Sequence, residues 1–253
     1  MIVTILQQDI RWAEPMENVK RADEAIGNNP GSDLYVLPEM FSTGFCTRPE
    51  GVAESAENDT VRWMKAKAAL TGAAIAGSIA IHDNGKYYNR FHFVTPDGSV
   101  TTYDKKHLFT FGGEHRHFTA GEERVVVTYK GVRILLEICY DLRFPIWSRN
   151  RGDYDMIIYV ASWPTPRVGA WKALLTARAI ENQCYVVGVN RVGTDPDNDY
   201  CGGSRVIDPY GKIIAECEDG VEMGATVDVD MNMLEAFRAK FPVLDDADYE
   251  DFQ

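Results

Sequence analysis

Three things are scarce in this sequence of 253 residues: paired cysteines, long hydrophobic runs and positive charge. The five cysteines are scattered and form no CxxC pair, which argues against a disulfide scaffold and predicts reduced thiols. No stretch approaches the roughly 18 apolar residues of a membrane span, and the N-terminal MIVTILQQDI lacks the basic start of a signal peptide. Lysine and arginine number 26 against 38 acidic residues, a formal charge of -12, which disfavours binding to phosphate backbones. We therefore expect a cytoplasmic protein with neither nucleic-acid nor membrane partners.

Linkers, repeats and low-complexity segments are also missing. Hydrophobic residues make up 45% of the chain, enough for a sizeable core. We therefore expect one domain over residues 1–253. The final stretch LDDADYEDFQ, residues 244–253, is predicted to be a solvated acidic tail.

Apolar periodicity and turn residues predict alternating strands and helices. Helices are predicted at Pro15–Ile26, Asp59–Leu70 with Asp59 as its cap, Ala170–Asn182 and Met231–Lys240. Strands are predicted at Met1–Gln8, Leu34–Leu37, Ala74–Ile81, Tyr87–Thr95, Ser99–Tyr103, Arg124–Tyr129, Val132–Ile138, Asp155–Ala161, Tyr185–Asn190, Val206–Asp208, Lys212–Cys217 and Thr226–Val229. This order is typical of a layered α/β domain whose mixed sheet is covered by helices.

The stretch LLEICYDLRFPIW, residues 135–147, ends an apolar strand at Cys139 and places charged residues directly after it. A structural cysteine has apolar neighbours, whereas a reactive one is partly exposed beside groups that stabilise its anion. The charges indicate that the chain leaves the core at this point. Cys139 is therefore the candidate nucleophile.

Two further stretches hold side chains that a cysteine hydrolase needs. Glu39 in LYVLPEMF follows a buried strand among apolar residues, where a carboxylate is costly unless it is paired or acts as a base. Lys105 and Lys106 in TTYDKKHLF follow another strand, and a lysine near a thiolate stabilises both that anion and a developing oxyanion. Taken alone, Glu39 also fits a surface loop, and paired lysines are more typical of a solvated face.

Together and in this order, PEMFSTGF, YDKKHLF and CYDLRFP resemble the nitrilase, or carbon–nitrogen hydrolase, superfamily over nearly the whole chain. The resemblance implies an α/β fold, a four-layer α-β-β-α sandwich, and a Glu–Lys–Cys triad on Glu39, Lys105 and Cys139. A second glutamate of the family falls on Glu114 in FGGEHRHF, with Glu122 and Glu123 as looser matches.

The resemblance implies hydrolysis of a small-molecule amide in two steps. Glu39 would take the proton of Cys139, whose sulfur attacks the amide carbonyl and forms a thioester. Lys105 and the backbone N–H of Tyr140 would hold the oxyanion, Glu39 would then activate water, and Glu114 would orient substrate, water or Lys105. The scheme uses no cofactor or metal, and the family usually forms homodimers.

Within the superfamily, ASWPTPR (residues 161–167) and KALLTARAIENQCYVVGVNRVG (residues 172–193) are most similar to the ω-amidase branch, which hydrolyses keto-acid amides such as 2-oxoglutaramate. That branch often has glutamine where this chain has Glu137, which is expected on the same side of its strand as Cys139. A keto-acid substrate needs a cation, for which Arg143, Arg167 and Arg191 are candidates.

Trp163 and Asp141 have two interpretations each. Trp163 follows a strand end and fits either a pocket wall or the core. Asp141 is expected to pair with Arg143 or with nearby backbone and so hold the turn.

Residue types alone leave several further functions open. His115, His117 and Cys139 fit a zinc site poorly, because the spacing is not HExxH and no second close ligand pair is present. One of these histidines or His107 fits the base of a Cys–His hydrolase. The chain also fits an amidase for another amide or a carbamoyl amine, an acyl transferase that passes the thioester to an amine, and a non-catalytic interaction protein on the same fold.

Overall fold

The computed structural model describes residues 1–247. The predicted acidic tail therefore lies partly outside the described residues, at positions 248–253. Of its described part, Asp245 and Asp246 are exposed, whereas Leu244 is buried in a 3₁₀ turn at Val243–Asp246.

Five α-helices lie within residues 1–247: α1 Pro15–Gly27, α2 Asp59–Thr71, α3 Pro145–Ser148, α4 Val168–Asn182 and α5 Met231–Lys240. None of them is both long enough and apolar enough to cross a membrane. The predicted cap of α2 is wrong by one residue. Asn58 is extended and its Oδ1 accepts a hydrogen bond from the Val61 N–H at 2.7 Å, while Asp59 is already helical.

The strands β1–β15 follow the predicted pattern with a few additions. Their bounds are Ile2–Gln7, Leu34–Val36, Glu54–Ser55, Ala74–Asp83, Lys86–Val94, Val100–Asp104, Val126–Tyr129, Val132–Ile138, Met156–Ala161, Tyr185–Asn190, Val192–Thr194, Asp199–Cys201, Arg205–Ile207, Ile213–Glu216 and Met223–Asp228. The short strands β3, β11 and β12 carry little periodicity and were not predicted. β15 starts three residues earlier than predicted, because it pairs with the full length of β1.

Two mixed sheets form the two inner layers of the molecule. The first has the order β15-β1-β2-β4-β5-β6, with β3 paired to β4, and the second has the order β14-β13-β10-β9-β8-β7. Apolar side chains of β1, β2, β4 and β5 share one core with those of β8 and β9, so the sheets pack face to face.

Helices cover the outer face of each sheet. Residues of α1 and α2, such as Val19 and Met64, pack with Ile75 and Ile79 of β4 in a second core. On the other side, Trp171 and Leu175 of α4 and Leu234 of α5 pack against the second sheet. The predicted four-layer α-β-β-α sandwich is confirmed.

The topology brings loops from both sheets to one place. Strands β2 and β4 run parallel in the first sheet, as do β8, β9 and β10 in the second. Glu39 follows β2, Cys139 follows β8 and Ser162 follows β9. A hydrogen bond of 2.8 Å from the Ser162 N–H to Glu39 Oε2 joins the two sheets at this point.

Candidate active site

Glu39 is fully buried in a tight turn after β2. The next residue, Met40, has a φ of 45°, in the left-handed region that non-glycine residues rarely adopt. Its N–H donates to Ser78 Oγ at 2.9 Å, and the Phe41 N–H donates to the Ser78 carbonyl at 3.1 Å. These bonds to β4 hold the turn and aim the Glu39 carboxylate between the sheets.

Lys105 and Glu114 lie beside this carboxylate and are equally buried. The Lys105 ammonium donates to Glu39 Oε1 at 2.8 Å and to the two oxygens of Glu114 at 3.1 and 3.0 Å. Glu114 begins a 3₁₀ turn, and its Oε2 accepts the Phe109 N–H at 2.6 Å. Glu122 and Glu123 are exposed elsewhere, so Glu114 is the glutamate that reaches the lysine.

Cys139 stands at the sharp exit from β8. Its φ is 45°, a conformation that costs a non-glycine residue about 1–3 kcal/mol and is concentrated at functional sites. Asp141 closes the turn, because its carboxylate accepts the Ile138 N–H at 3.0 Å and the Tyr103 hydroxyl at 2.8 Å. The predicted link from Asp141 to backbone is confirmed.

Charge and burial set the protonation of the cluster. Burial raises the pKa of the Cys139 thiol well above its usual value, and the Glu39 carboxylate adds to this rise while Lys105 opposes it. The nucleophile therefore rests as a thiol, not as the thiolate that a lysine neighbour alone predicts. Burial lowers the pKa of Lys105, but the charges of Glu114 and Glu39 outweigh it and the net shift is upward. Burial raises the pKa of Glu114, against the opposing charge of Lys105.

A cavity of about 310 Å³ opens onto Cys139. Its lining includes Tyr140, Ser162 and Trp163, with Phe45, Phe109 and Phe111 among the aromatic walls. Tyr140 lies in the first turn of a 3₁₀ helix at Cys139–Arg143, where backbone N–H groups lack an intrahelical acceptor. The volume suits a small molecule.

Two of the three candidate arginines line this cavity. The Arg143 guanidinium lies 4.9 Å from the centre of the Trp163 indole, and that of Arg167 lies 5.5 Å from the centre of the Phe109 ring. Neither forms an ion pair with any residue between 1 and 247, so of the two predicted alternatives for Asp141 the link to backbone forms and the pair with Arg143 does not. The turn directs the arginine outward into the cavity, whereas Asp141 is held inside.

Arg191 has a different place. It is buried, and it donates to the Ile10 and Thr194 carbonyls at 2.9 Å each and to Asp9 at 3.3 Å. Its guanidinium is used by the protein's own backbone and does not line the cavity.

Glu137 does not reach the site. It is buried, and the pKa of its carboxyl is raised well above the usual value by burial and by Asp141, with Arg124 and Arg178 opposing the rise. Since Arg178 belongs to α4, Glu137 lies on the helix-covered side of its sheet. Neither of its oxygens forms a hydrogen bond within residues 1–247.

The histidines are engaged away from the thiol. His107 Nδ1 lies 2.8 Å from Asp141 Oδ1, and His117 Nδ1 lies 2.8 Å from Glu50 Oε1, while His115 is exposed. Within residues 1–247 no three His, Cys, Asp or Glu side chains are grouped to hold a metal ion.

The cluster also contains Asn89, which was not predicted. Asn89 of β5 is fully buried, and its Nδ2 donates to Glu39 Oε1 at 2.8 Å and to Glu114 Oε1 at 3.2 Å. The only signal in the sequence is a lone asparagine within the strand KYYNRFHFV, which does not reveal what it faces.

Comparison with known proteins gives consistent results. A family model described as carbon-nitrogen hydrolase matches residues 2–239. The chain is 48% identical to the protein named Omega-amidase YafV of Escherichia coli (strain K12), over 97% of this chain and 96% of that protein. It is 37% identical to the protein named 2-oxoglutaramate amidase of Bacillus subtilis (strain 168), over 96% of each. Among solved structures, XC1258 of Xanthomonas campestris superposes with a TM-score of 0.95 at 41% identity, covering 98% of this chain and 97% of that one. It is described as a CN-hydrolase superfamily protein with an arsenic adduct in the active site.

Proposed function

The chain belongs to the carbon–nitrogen hydrolase family, and from this premise we propose that it is an ω-amidase that hydrolyses the terminal amide of a short keto acid, such as 2-oxoglutaramate. The observation that carries the proposal is the buried cluster of Glu39, Lys105 and Glu114 behind a thiol that opens onto a small cavity with two unpaired arginines. The names of the relatives support the choice of substrate.

In the first half-reaction the Cys139 sulfur bonds to the amide carbon as its proton passes to Glu39. A base is needed at this step, because the resting thiol holds its proton. The carbonyl electrons move to oxygen, where the Lys105 ammonium and the Tyr140 N–H stabilise the negative charge, each contributing roughly 10²–10³ in rate. Glu39 returns the proton to the leaving nitrogen, and ammonia departs from a thioester.

In the second half-reaction Glu39 takes a proton from water, whose oxygen attacks the thioester carbon. The same oxyanion donors act again, and the carbon–sulfur bond breaks with the proton returned to sulfur. The keto acid is released and the thiol is restored. Glu114 acts through Lys105, because its two oxygens hold the ammonium in place and keep it charged. These steps are proton and acyl transfers that call for no cofactor.

Recognition of the acid end is assigned to Arg143 and Arg167. Both guanidinium groups rest on aromatic rings of the cavity, an arrangement that leaves their N–H groups able to bind a carboxylate in a bidentate manner. In a protein with a formal charge of -12, two arginines without acidic partners at one cavity indicate an anionic substrate. Trp163 forms the wall against which Arg143 is held.

Ammonia release from a panel of substrates tests the proposal. The panel holds 2-oxoglutaramate, 2-oxosuccinamate, glutamine, asparagine, a carbamoyl amine and a nitrile, with wild type and Cys139→Ala side by side. We expect release from the two keto-acid amides, abolished in the variant. Thiol-dependent release from another member only would move the substrate, and no thiol-dependent release from any would reject the hydrolase.

An acyl transferase would differ from a hydrolase in the acceptor of the acyl group. Hydroxamate formation with added hydroxylamine would reveal a capacity for transfer. Turnover that requires an amine acceptor would favour the transferase over the hydrolase, whereas ammonia release in water alone supports the hydrolase.

We also propose that residues 1–253 act as one domain, since no linker interrupts them, and that the protein is cytoplasmic, as its scattered cysteines suggest. The family resemblance implies that it forms a homodimer. Light scattering coupled to size-exclusion chromatography measures the mass in solution. Twice the chain mass of 28.4 kDa is expected, and the mass of a single chain would reject the dimer.

A further inference from the structure

Asn89 is a neutral residue whose side chain reaches both buried carboxylates of the cluster. Its side-chain amide donates to Glu39 Oε1 at 2.8 Å and to Glu114 Oε1 at 3.2 Å. Its backbone carbonyl accepts the Lys105 N–H at 3.0 Å, so the residue is also tied to the lysine. The orientation of the amide follows from its partners, because a carboxylate oxygen needs a donor.

Counting donors on each carboxylate shows how the two differ. A carboxylate offers about four acceptor sites, two on each oxygen. Within residues 1–247, Glu114 accepts four hydrogen bonds: two from Lys105, one from Asn89 and one from the Phe109 N–H. On Glu39, Lys105 and Asn89 both donate to Oε1, whereas the Ser162 N–H donates to Oε2.

We propose that Asn89 is a positioning residue that saturates Glu114 and Oε1 of Glu39, and so directs the proton of the Cys139 thiol to Oε2 of Glu39. This inference rests on the proposed thiol mechanism. As the sulfur bonds to the substrate carbon, its proton moves to the open site on Oε2. Without Asn89, one acceptor site opens on each carboxylate.

The residue type follows from the charges. Two carboxylates face one ammonium, so a fully ionised cluster carries one excess negative charge in a buried place. A neutral donor between like charges reduces their repulsion without changing the charge. An acid at this position would add to the repulsion, and an apolar residue would leave it without a donor between the two carboxylates.

The charged and titratable groups around the carboxylate pair come from four segments. They are Lys105 after β6, Glu114 in its 3₁₀ turn, Cys139 after β8 and Tyr200 of β12, whose phenol pKa is raised by burial, by Asp195 and to a smaller degree by Glu39. With these unchanged, removing the Asn89 donor leaves the repulsion between the two carboxylates less opposed, so that one of the pair keeps a proton to higher pH. The base is then unavailable over a range in which wild type is active.

The test uses Asn89→Ala, which removes the donor, and Asn89→Asp, which keeps the shape and replaces the donor by an acid. Two rates are measured from pH 5 to pH 9: kcat/KM for the keto-acid amide, and alkylation of Cys139 by iodoacetamide followed by mass spectrometry. Alkylation needs no substrate, so it tests Asn89 even if the proposed substrate is wrong. Near-UV circular dichroism and Tm establish that each variant is folded.

We expect the acid limb of both profiles to move up by about one pH unit in Asn89→Ala, which is a tenfold loss on that limb. At the alkaline plateau the rates return to within about threefold of wild type, and Asn89→Asp moves the limb further. The control is Phe91→Leu, two residues along the same strand in the core between the sheets, which lowers Tm and leaves both profiles in place. A loss that is equal at all pH values, or an unmoved limb in both Asn89 variants, would overturn the proposal.

Discussion

Replacing Lys105 by methionine removes the only cation that contacts the two buried carboxylates within residues 1–247. Its ammonium makes three hydrogen bonds, at 2.8 Å to Glu39 and at 3.1 and 3.0 Å to Glu114, and all three side chains are fully buried. Methionine has a similar length, so the loss is mainly one of charge. Breaking a buried ionic network in this way costs about 3–5 kcal/mol, or a fall in Tm of about 10 °C for a chain of this size.

The loss of stability is expected to depend on pH. Burial raises the pKa of Glu114 and the charge of Lys105 opposes that rise, so the pKa rises further without the lysine. A carboxyl whose folded-state pKa is raised contributes stability below its unfolded-state pKa, about 4.3, and this contribution is lost as the pH rises through the folded value. The deficit of Lys105→Met relative to wild type is therefore smallest in acid and grows towards alkaline pH.

Urea unfolding from pH 5 to pH 9 measures this deficit, and ammonia release measures activity, which should fall by at least about 10² because an oxyanion donor is lost. Lys106→Met is the matched control, since the Lys106 ammonium lies 5.2 Å from the Trp147 ring, away from the two carboxylates. It should change stability by less than about 0.5 kcal/mol and preserve turnover. Adding Glu114→Gln to Lys105→Met should restore part of the stability and none of the activity. Equal effects of the two lysine variants, or a deficit that does not change with pH, would refute the charge assignment.

Four further substitutions have three distinct expected outcomes. Arg143→Leu and Arg167→Leu should each raise KM for 2-oxoglutaramate by about tenfold or more, as expected for a lost charge-assisted bond, with kcat less affected. An unchanged KM in both variants would show that the arginines do not bind the substrate. Asp141→Ala should destabilise the protein by about 2–3 kcal/mol, because buried donors lose their acceptor, and should slow alkylation of Cys139; normal unfolding and alkylation would show that the turn holds without it. Glu137→Gln should retain activity, and its stability relative to wild type should increase as the pH rises, because the raised pKa of Glu137 means that its ionisation opposes folding. The gain is up to about 1.4 kcal/mol per pH unit between the unfolded and folded pKa values. A difference in unfolding free energy that does not change with pH would contradict this.

The parts of the site that were predictable are those with a local pattern. Glu39 and Cys139 each follow an apolar strand, and Lys105 lies in a motif with a recognisable order, so residue types and family resemblance were enough to place them. Most strand and helix bounds also agree with the periodicity to within a few residues. These features depend on neighbours in sequence.

The parts that were not predictable depend on contacts between distant segments. Asn89 contacts Glu39 although the two are 50 positions apart in sequence. The Ser162 N–H, 123 positions away, contacts it from the other sheet. Residue types left open whether Asp141 pairs with Arg143, two positions away, or with backbone, and the turn decides this by pointing the two side chains in different directions. Strand alternation placed Glu137 on the same side as Cys139, yet the sharp exit from the strand at Cys139 separates them. Strand order within a sheet, packing of one sheet on the other and the geometry of a sharp turn decide these contacts, and no spacing in the sequence encodes them.

The most direct test of the central claim is to acid-quench the protein during its first turnover of 2-oxoglutaramate and to map the modified peptide by mass spectrometry. We expect an adduct equal in mass to the substrate less ammonia on the peptide that contains Cys139, present in wild type and absent from Cys139→Ala. Ammonia release within the same interval from a protein whose Cys139 peptide stays unmodified would contradict the thioester mechanism.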